Sequence, residues 1–183
     1  MARILFIVGS LRKDSFNRQL ASEIMSMICE RAECAVLDYA DVPFLNQDEE
    51  YPAPAAVERL RASVDAADAL WVVTPEYNAS YPGLLKNVLD WLSRPVVRND
   101  YATPTVMRGK KATISGAAGK SAAGHARKKL SELLGFMGGD LFKDEGNGVA
   151  LSGASFGSDK LILNDEARKA IREQVDGFLA YIG

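Results

Sequence analysis

The sequence is poor in the residues that staple or metallate a small protein. Of 183 residues, two are cysteine and one is histidine. Cys29 and Cys34 stand in no C-x-x-C spacing, and a zinc site built on them and His125 would need carboxylate help. Neither a metal centre nor a disulfide framework is expected, and both thiols read as reduced and structural. An excess of charge of one sign is also missing. Against 22 Lys and Arg stand 24 Asp and Glu, a formal net charge of −2, which argues against a polyanion platform and so against nucleic acid as a partner. No apolar run approaches the roughly 20 residues that cross a bilayer. At the N-terminus, Arg3 leads straight into a short apolar run and a Gly-Ser turn, unlike a signal peptide. A soluble, cytoplasmic protein without membrane insertion is the expectation.

What is present is ordinary globular composition, 48% hydrophobic and 25% charged. A chain of this length buries roughly 70% of its unfolded surface, so one domain over residues 1–183 can stand on packing alone. Short apolar runs alternate with helical patterns throughout. Ile4 to Val8, Ala35 to Leu37, Ala69 to Val73, Ala112 to Ile114 and Asp140 to Phe142 read as strands. Between them, Phe16, Leu20, Ile24, Met27 and Ile28 mark one face of a helix starting near Ser15. Val57, Leu60 and Val64 mark a second. Leu85, Val88, Leu89 and Leu92 mark a third, with Pro82 in its first turn. Leu130, Leu133 and Leu134 mark a fourth, stopped by Gly138-Gly139, and Ala167, Ile171, Val175, Phe178 and Ile182 mark a last. The segments 94–109 and 144–164 carry no clear pattern, and residues 38–54 read as a surface loop.

Five strands alternating with five helices predict an α/β, flavodoxin-like three-layer fold: a five-stranded parallel sheet of order 2-1-3-4-5 with helices on both faces. In such a sheet a ligand lies at the switch between strands 1 and 3, so chemistry is expected after Val8 and after Thr74. The first loop answers that expectation. Gly9 permits a sharp turn, Ser10 and Ser15 offer hydroxyls, Arg12 offers a planar cationic fork, and a helix N-terminus follows. That set suits a phosphate monoester, although Ser15 capping the helix and Arg12 in solvent would be the plainer reading. The loop lacks the Gly-Lys-Ser/Thr ending of a triphosphate P-loop and the spaced glycines of a dinucleotide fingerprint. It also has no cysteine with which to attack a phosphate. The second loop, residues 74–87, holds Pro75, Glu76, Tyr77, Asn78, Tyr81 and Pro82, stiff and aromatic enough to lie along a planar ligand; a plain turn with a helix cap is the alternative.

Gly-Ser-Leu-Arg-x-x-Ser-x-Asn at 9–17 and Pro-Glu-Tyr-Asn-x-Ser-x-Pro-Gly-x-Leu-Lys-Asn-x-x-Asp-Trp at 75–91 together resemble the NADPH-dependent FMN reductase family, whose members include flavodoxin-like quinone, chromate and azo-dye reductases. The resemblance spans roughly residues 3–135. It implies that Ser10, Arg12, Ser15 and Asn17, with Phe16 in the same turn, hold the FMN phosphate. It places Pro75, Glu76, Tyr77 and Asn78 along the ribityl chain and ring, and Ser115 and Gly116 at the start of a third flavin-contacting loop. Asp14 stands where relatives often have Gly, and its side chain is expected to point to solvent.

The implied activity is an FMN-dependent NAD(P)H oxidoreductase passing hydride through bound FMN to quinones, free flavin or xenobiotics such as chromate or azo compounds. The flavin carries the chemistry, so no catalytic side chain and no metal are expected. NADPH or NADH would be the donor, and Lys13, Arg94 and Arg98 are cations that a 2′-phosphate would attract. A homodimer or homotetramer is the implied assembly. The alternative is a flavodoxin-like electron carrier reduced by a protein partner, although the near-balanced charge lacks the strongly acidic docking face such carriers use.

Overall fold

A computed structural model describes all of residues 1–183. The strands β1 (Arg3–Val8), β2 (Glu33–Val36), β3 (Ala69–Thr74), β4 (Lys111–Ala118), β5 (Asp140–Leu141) and β6 (Asn147–Ala150) form one sheet. The helices are α1 (Phe16–Ile28), α2 (Ala55–Asp65), α3 (Gly83–Leu92), α4 (Gly124–Phe136), the short α5 (Gly153–Ser158) and α6 (Asp165–Ile182). The sheet order is β2-β1-β3-β4-β5 with every ladder parallel, the flavodoxin-like order.

The two-residue period of the strands divides the core between the sheet's faces. Leu5 and Ile7 of β1, with Leu70 and Val72 of β3, pack with Val57, Leu60, Leu85, Leu89 and Leu130 from α2, α3 and α4. Their neighbours Ile4, Phe6, Val8, Ala69, Trp71 and Val73 point the other way, onto Leu20, Ile24 and Ile28 of α1 and Ile171, Val175 and Phe178 of α6. Central strands buried on both sides explain why β1 and β3 read as continuous apolar runs.

The fifth strand departs from expectation. Its position beside β4 is filled in two pieces: β5 pairs with Lys111 and Ala112, and β6 pairs with Ser115 to Ala118. β6 and α5 both arise from the segment 144–164 that had no assignment in the sequence. Between the pieces the chain turns through positive φ at Lys143, Asp144 and Gly146. At Ile114 the missing ladder partner is a side chain: Gln174 of α6, fully buried, donates through Nε2 to the Ile114 carbonyl and to Thr113 Oγ1, both at 2.8 Å. Gly146 fits there because a Cβ would lie 1.8 Å from that same carbonyl oxygen.

The Gln174 amide also accepts the Ser115 hydroxyl at 3.1 Å, and Ser115 Oγ accepts the Trp71 indole N–H at 3.0 Å. Every member of this network is buried. Ser115→Ala is therefore expected to lower stability by about 1–3 kcal/mol, because it strands the Trp71 N–H and the Gln174 oxygen; a urea-denaturation midpoint measures it.

Candidate functional site

The parallel ladders bring the C-terminal ends of β1, β3 and β4 to one edge, so the three loops that leave them meet there. Residues 9–15 leave β1. Gly9 donates to the Val73 carbonyl at 2.8 Å, and a Cβ on it would press to 3.2 Å from the Pro75 ring, so its bareness lets the first two loops touch. From α2's side of the sheet, the buried Tyr39 donates its hydroxyl to the Val8 carbonyl and fixes the end of β1.

The chain between Gly9 and α1 is a set of unspent donors. The amides of Leu11, Lys13 and Asp14 find no acceptor within the chain. Ser10 Oγ accepts from the Arg12 amide at 3.3 Å, and Ser15 Oγ caps α1 by accepting from the Asn17 amide at 3.2 Å. Each hydroxyl is buried, acts as an acceptor, and keeps its own O–H to give. No acidic residue occupies the first turn of α1, so the positive end of the helix is not neutralised. Asp14 is exposed, in line with its expected orientation. The loop fits a phosphate group on the chemistry of its donors: amides, hydroxyls, a helix N-terminus and a guanidinium within seven residues.

Arg12 is held rather than free. Its Nη1 and Nη2 donate to the two carboxylate oxygens of Asp159 at 2.8 and 2.9 Å, and the guanidinium lies over the Phe16 ring, 5.5 Å from its centroid. The Asp159 carboxylate raises the pKa of the guanidinium above its ordinary value.

The second loop, leaving β3, is a tight hairpin. Tyr77 and Ser80 exchange backbone bonds at 2.9 and 3.0 Å, and Asn78 and Ala79 between them both have positive φ, the pattern of a type I′ turn. Pro75 is buried while Tyr77, Asn78 and Ala79 are exposed, so the hairpin projects a rigid aromatic tip from a fixed base.

Glu76 faces the third loop. Its carboxylate accepts from the Ala126 amide at 3.0 Å. Helix α4 needs that partner, because the residue at its cap is Ala123, in the left-handed region and without a capping side chain. Partial burial pushes the Glu76 carboxyl up, but the Ala126 amide, the Ser121 hydroxyl and nearby His125 outweigh it and hold it below its ordinary range. Glu76 thus ties the start of α4 to the β3 hairpin. Ala79, Ala122 and Ala123 all carry positive φ, so the second and third loops both hold strained backbone at this edge of the sheet.

Three expected site residues are placed differently. Ser115 does not begin a loop: β4 continues to Ala118, and the hydroxyl is spent in the Trp71 and Gln174 network. Gly116 lies in the same strand, where a Cβ would come within 2.6 Å of the Thr74 carbonyl and 2.7 Å of Ala123 Cβ; its smallness seats the third loop, which starts at Gly119. Asn17 has its side-chain amide engaged by β4. Its side-chain amide donates to the Ala117 carbonyl at 2.9 Å and accepts the Ala117 amide at 2.8 Å. Of the cations considered for a 2′-phosphate, Arg94 is committed to the buried Glu50 by bonds of 2.6 and 2.9 Å, and Arg98 lies over the Tyr51 ring. Lys13 is left exposed within the first loop.

Residues the sequence did not single out also shape the edge. Arg18 donates from Nε to the Ser10 carbonyl at 3.3 Å; its place one turn into α1 was a signal that could have found it. Asp159 and Gln19 had none, since their link joins residues 140 apart.

The chain matches the family model described as NADPH-dependent FMN reductase over residues 2–144. It is 34% identical to an NAD(P)H-dependent FMN reductase of Pseudomonas aeruginosa over 98% of this chain and 95% of that one. It is 30% identical to a 2-hydroxy-1,4-benzoquinone reductase of a Burkholderia species over 98% and 96%. Among solved structures, the flavoenzyme NAD(P)H:(acceptor) oxidoreductase FerB of Paracoccus denitrificans superposes with a TM-score of 0.86 at 31% identity, covering 100% of this chain and 97% of that one. An archaeal flavodoxin, 14% identical with a TM-score of 0.62 over 98% of both chains, shares the fold.

Proposed function

Because this chain belongs to the NADPH-dependent FMN reductase family of FMN-binding oxidoreductases, we propose that it is a single-domain NAD(P)H-dependent reductase of quinones or related small acceptors. The observation that carries the reading is the run of unspent donors between Gly9 and α1. The benzoquinone reductase and the FerB oxidoreductase among its relatives support the acceptor class.

Bound at this edge, FMN would supply the redox chemistry, taking hydride from a nicotinamide and giving it to the acceptor. The chain's own part is to bind and orient. The amides of Leu11, Lys13 and Asp14, the hydroxyls of Ser10 and Ser15, and Arg12 would hold the phosphate. Pro75 and the Tyr77 to Ser80 hairpin would line the flavin's flank, and Glu76 would act by fixing the third loop against that hairpin. Asn17 and Ser115 would act from beneath, through the frame of β4. No side-chain acid, base or nucleophile is asked to react, and the donors are all groups that stay charged or neutral alike near pH 7.

The purified protein is expected to be yellow, or to become so with added FMN, and anaerobic NADPH or NADH alone should bleach the flavin absorbance. Benzoquinone should restore it. A protein that takes up FMN but is bleached only with a partner reductase would be an electron carrier, and one with no affinity for FMN would remove the proposal.

A further inference from the structure

The first loop is bridged, through Arg12 and Phe16, by a segment that the proposed function does not use. Residues 152–161 run across it and are anchored by side chains from the loop and from α1. Phe156 packs edge-on against Phe16 at 5.7 Å between ring centroids. Gln19 donates to the Asp159 carbonyl at 3.0 Å and accepts from the Leu161 amide at 2.8 Å. Ser152 caps α5 by accepting from the Ser155 amide at 3.1 Å. Asp159 ends that helix in the left-handed region, at φ 56°. The backbone of Asp159 is therefore fixed without any help from Arg12.

Resting on the reading of the first loop as the FMN phosphate site, we propose that Asp159 is a positioning residue for that phosphate, acting through Arg12. The two Nη atoms of Arg12 grip the carboxylate end-on, and Nε has no acceptor within the chain. With its tip held by Asp159 and its face held by Phe16, the guanidinium keeps its Nε edge for an incoming anion. An arginine is a long, many-rotamer side chain. Ordering it before the ligand arrives removes a cost that binding would otherwise carry. A fixed carboxylate with a mobile cation leaning on it is the arrangement that orients the cation. A carboxylate that had to be displaced would not be anchored through its own backbone by Gln19.

The test is a fluorescence titration of the full chain, freed of flavin, with FMN and with riboflavin. Wild type, Asp159→Ala, Arg12→Ala and the double variant are compared, with thermal midpoints alongside. Asp159→Ala is expected to weaken FMN binding about fivefold, leave riboflavin affinity and the midpoint where they were, and add nothing in the Arg12→Ala background. Unchanged or tighter FMN binding in Asp159→Ala overturns the proposal, the latter by making the carboxylate a competitor. Equal weakening toward both flavins overturns it in favour of a structural role. If wild type binds FMN no better than riboflavin, the phosphate reading falls and this inference with it. If wild type and Arg12→Ala show the phosphate effect and Asp159→Ala does not, Asp159 alone is withdrawn.

Discussion

Arg12→Ala is expected to weaken FMN binding roughly tenfold to a hundredfold, the range of a charge-assisted hydrogen bond lost from an anion. Riboflavin, which lacks the phosphate, should bind the variant almost as it binds wild type. Folding should be little changed, because the Arg12 and Asp159 side chains are 50% and 54% exposed and an exposed pair contributes little to stability. Arg12→Lys restores the charge without the planar fork, so its FMN affinity should fall between the two. Equal loss for both flavins would move Arg12 from the phosphate to the scaffold. The salt dependence gives an independent check: FMN affinity of wild type should decline with ionic strength more steeply than that of Arg12→Ala, since one screened attraction has been removed.

Asn17→Ala carries the largest expected loss of stability, about 2–5 kcal/mol. Both halves of its amide are used by the backbone of one buried residue, and removal strands the Ala117 N–H and C=O where water has little access. Against a total of about 5–15 kcal/mol for a domain of ordinary size, that is a large share. A urea midpoint that falls well below the wild-type value, with the slope unchanged, is the expected result. Asn17→Asp should be no milder, because it turns a donor into an acceptor facing the Ala117 carbonyl. A near-normal midpoint for either variant would show that β4 holds its end without the clamp. The clamp matters to the site because Ala117 lies just before the third loop, so a slack β4 would also displace residues 119–124.

Much of this was legible in the sequence. Buried central strands must be apolar on both faces, so β1 and β3 announce themselves as runs. The stripes of α1, α3 and α6 follow from the 3.6-residue period. Ser15 as a cap and Gly138 as a stop are local events, decided by residues a few positions apart. What escaped was the split of the fifth strand. β5 has two residues and β6 four, too few for a pattern, and the gap between them is closed by Gln174, some thirty residues further along. Ser115 and Gly116 were misplaced for a related reason. The resemblance set them at the start of a loop, whereas β4 runs on to Ala118 and their small size serves a polar network on one side of it and the seat of Ala123 on the other.

The sequence by itself determined the sheet order, the two loops at its edge and the kind of group they suit, because each depends on spacing within a few turns of chain. The tertiary structure decided the division of labour among the same residues. Asn17 is engaged as a clamp on β4, Glu76 became the cap of a helix fifty residues away, and Arg12 acquired a partner 147 positions distant. A side chain's donors can be counted in the sequence, but the acceptors that take them are chosen by which backbone the fold brings within 3 Å.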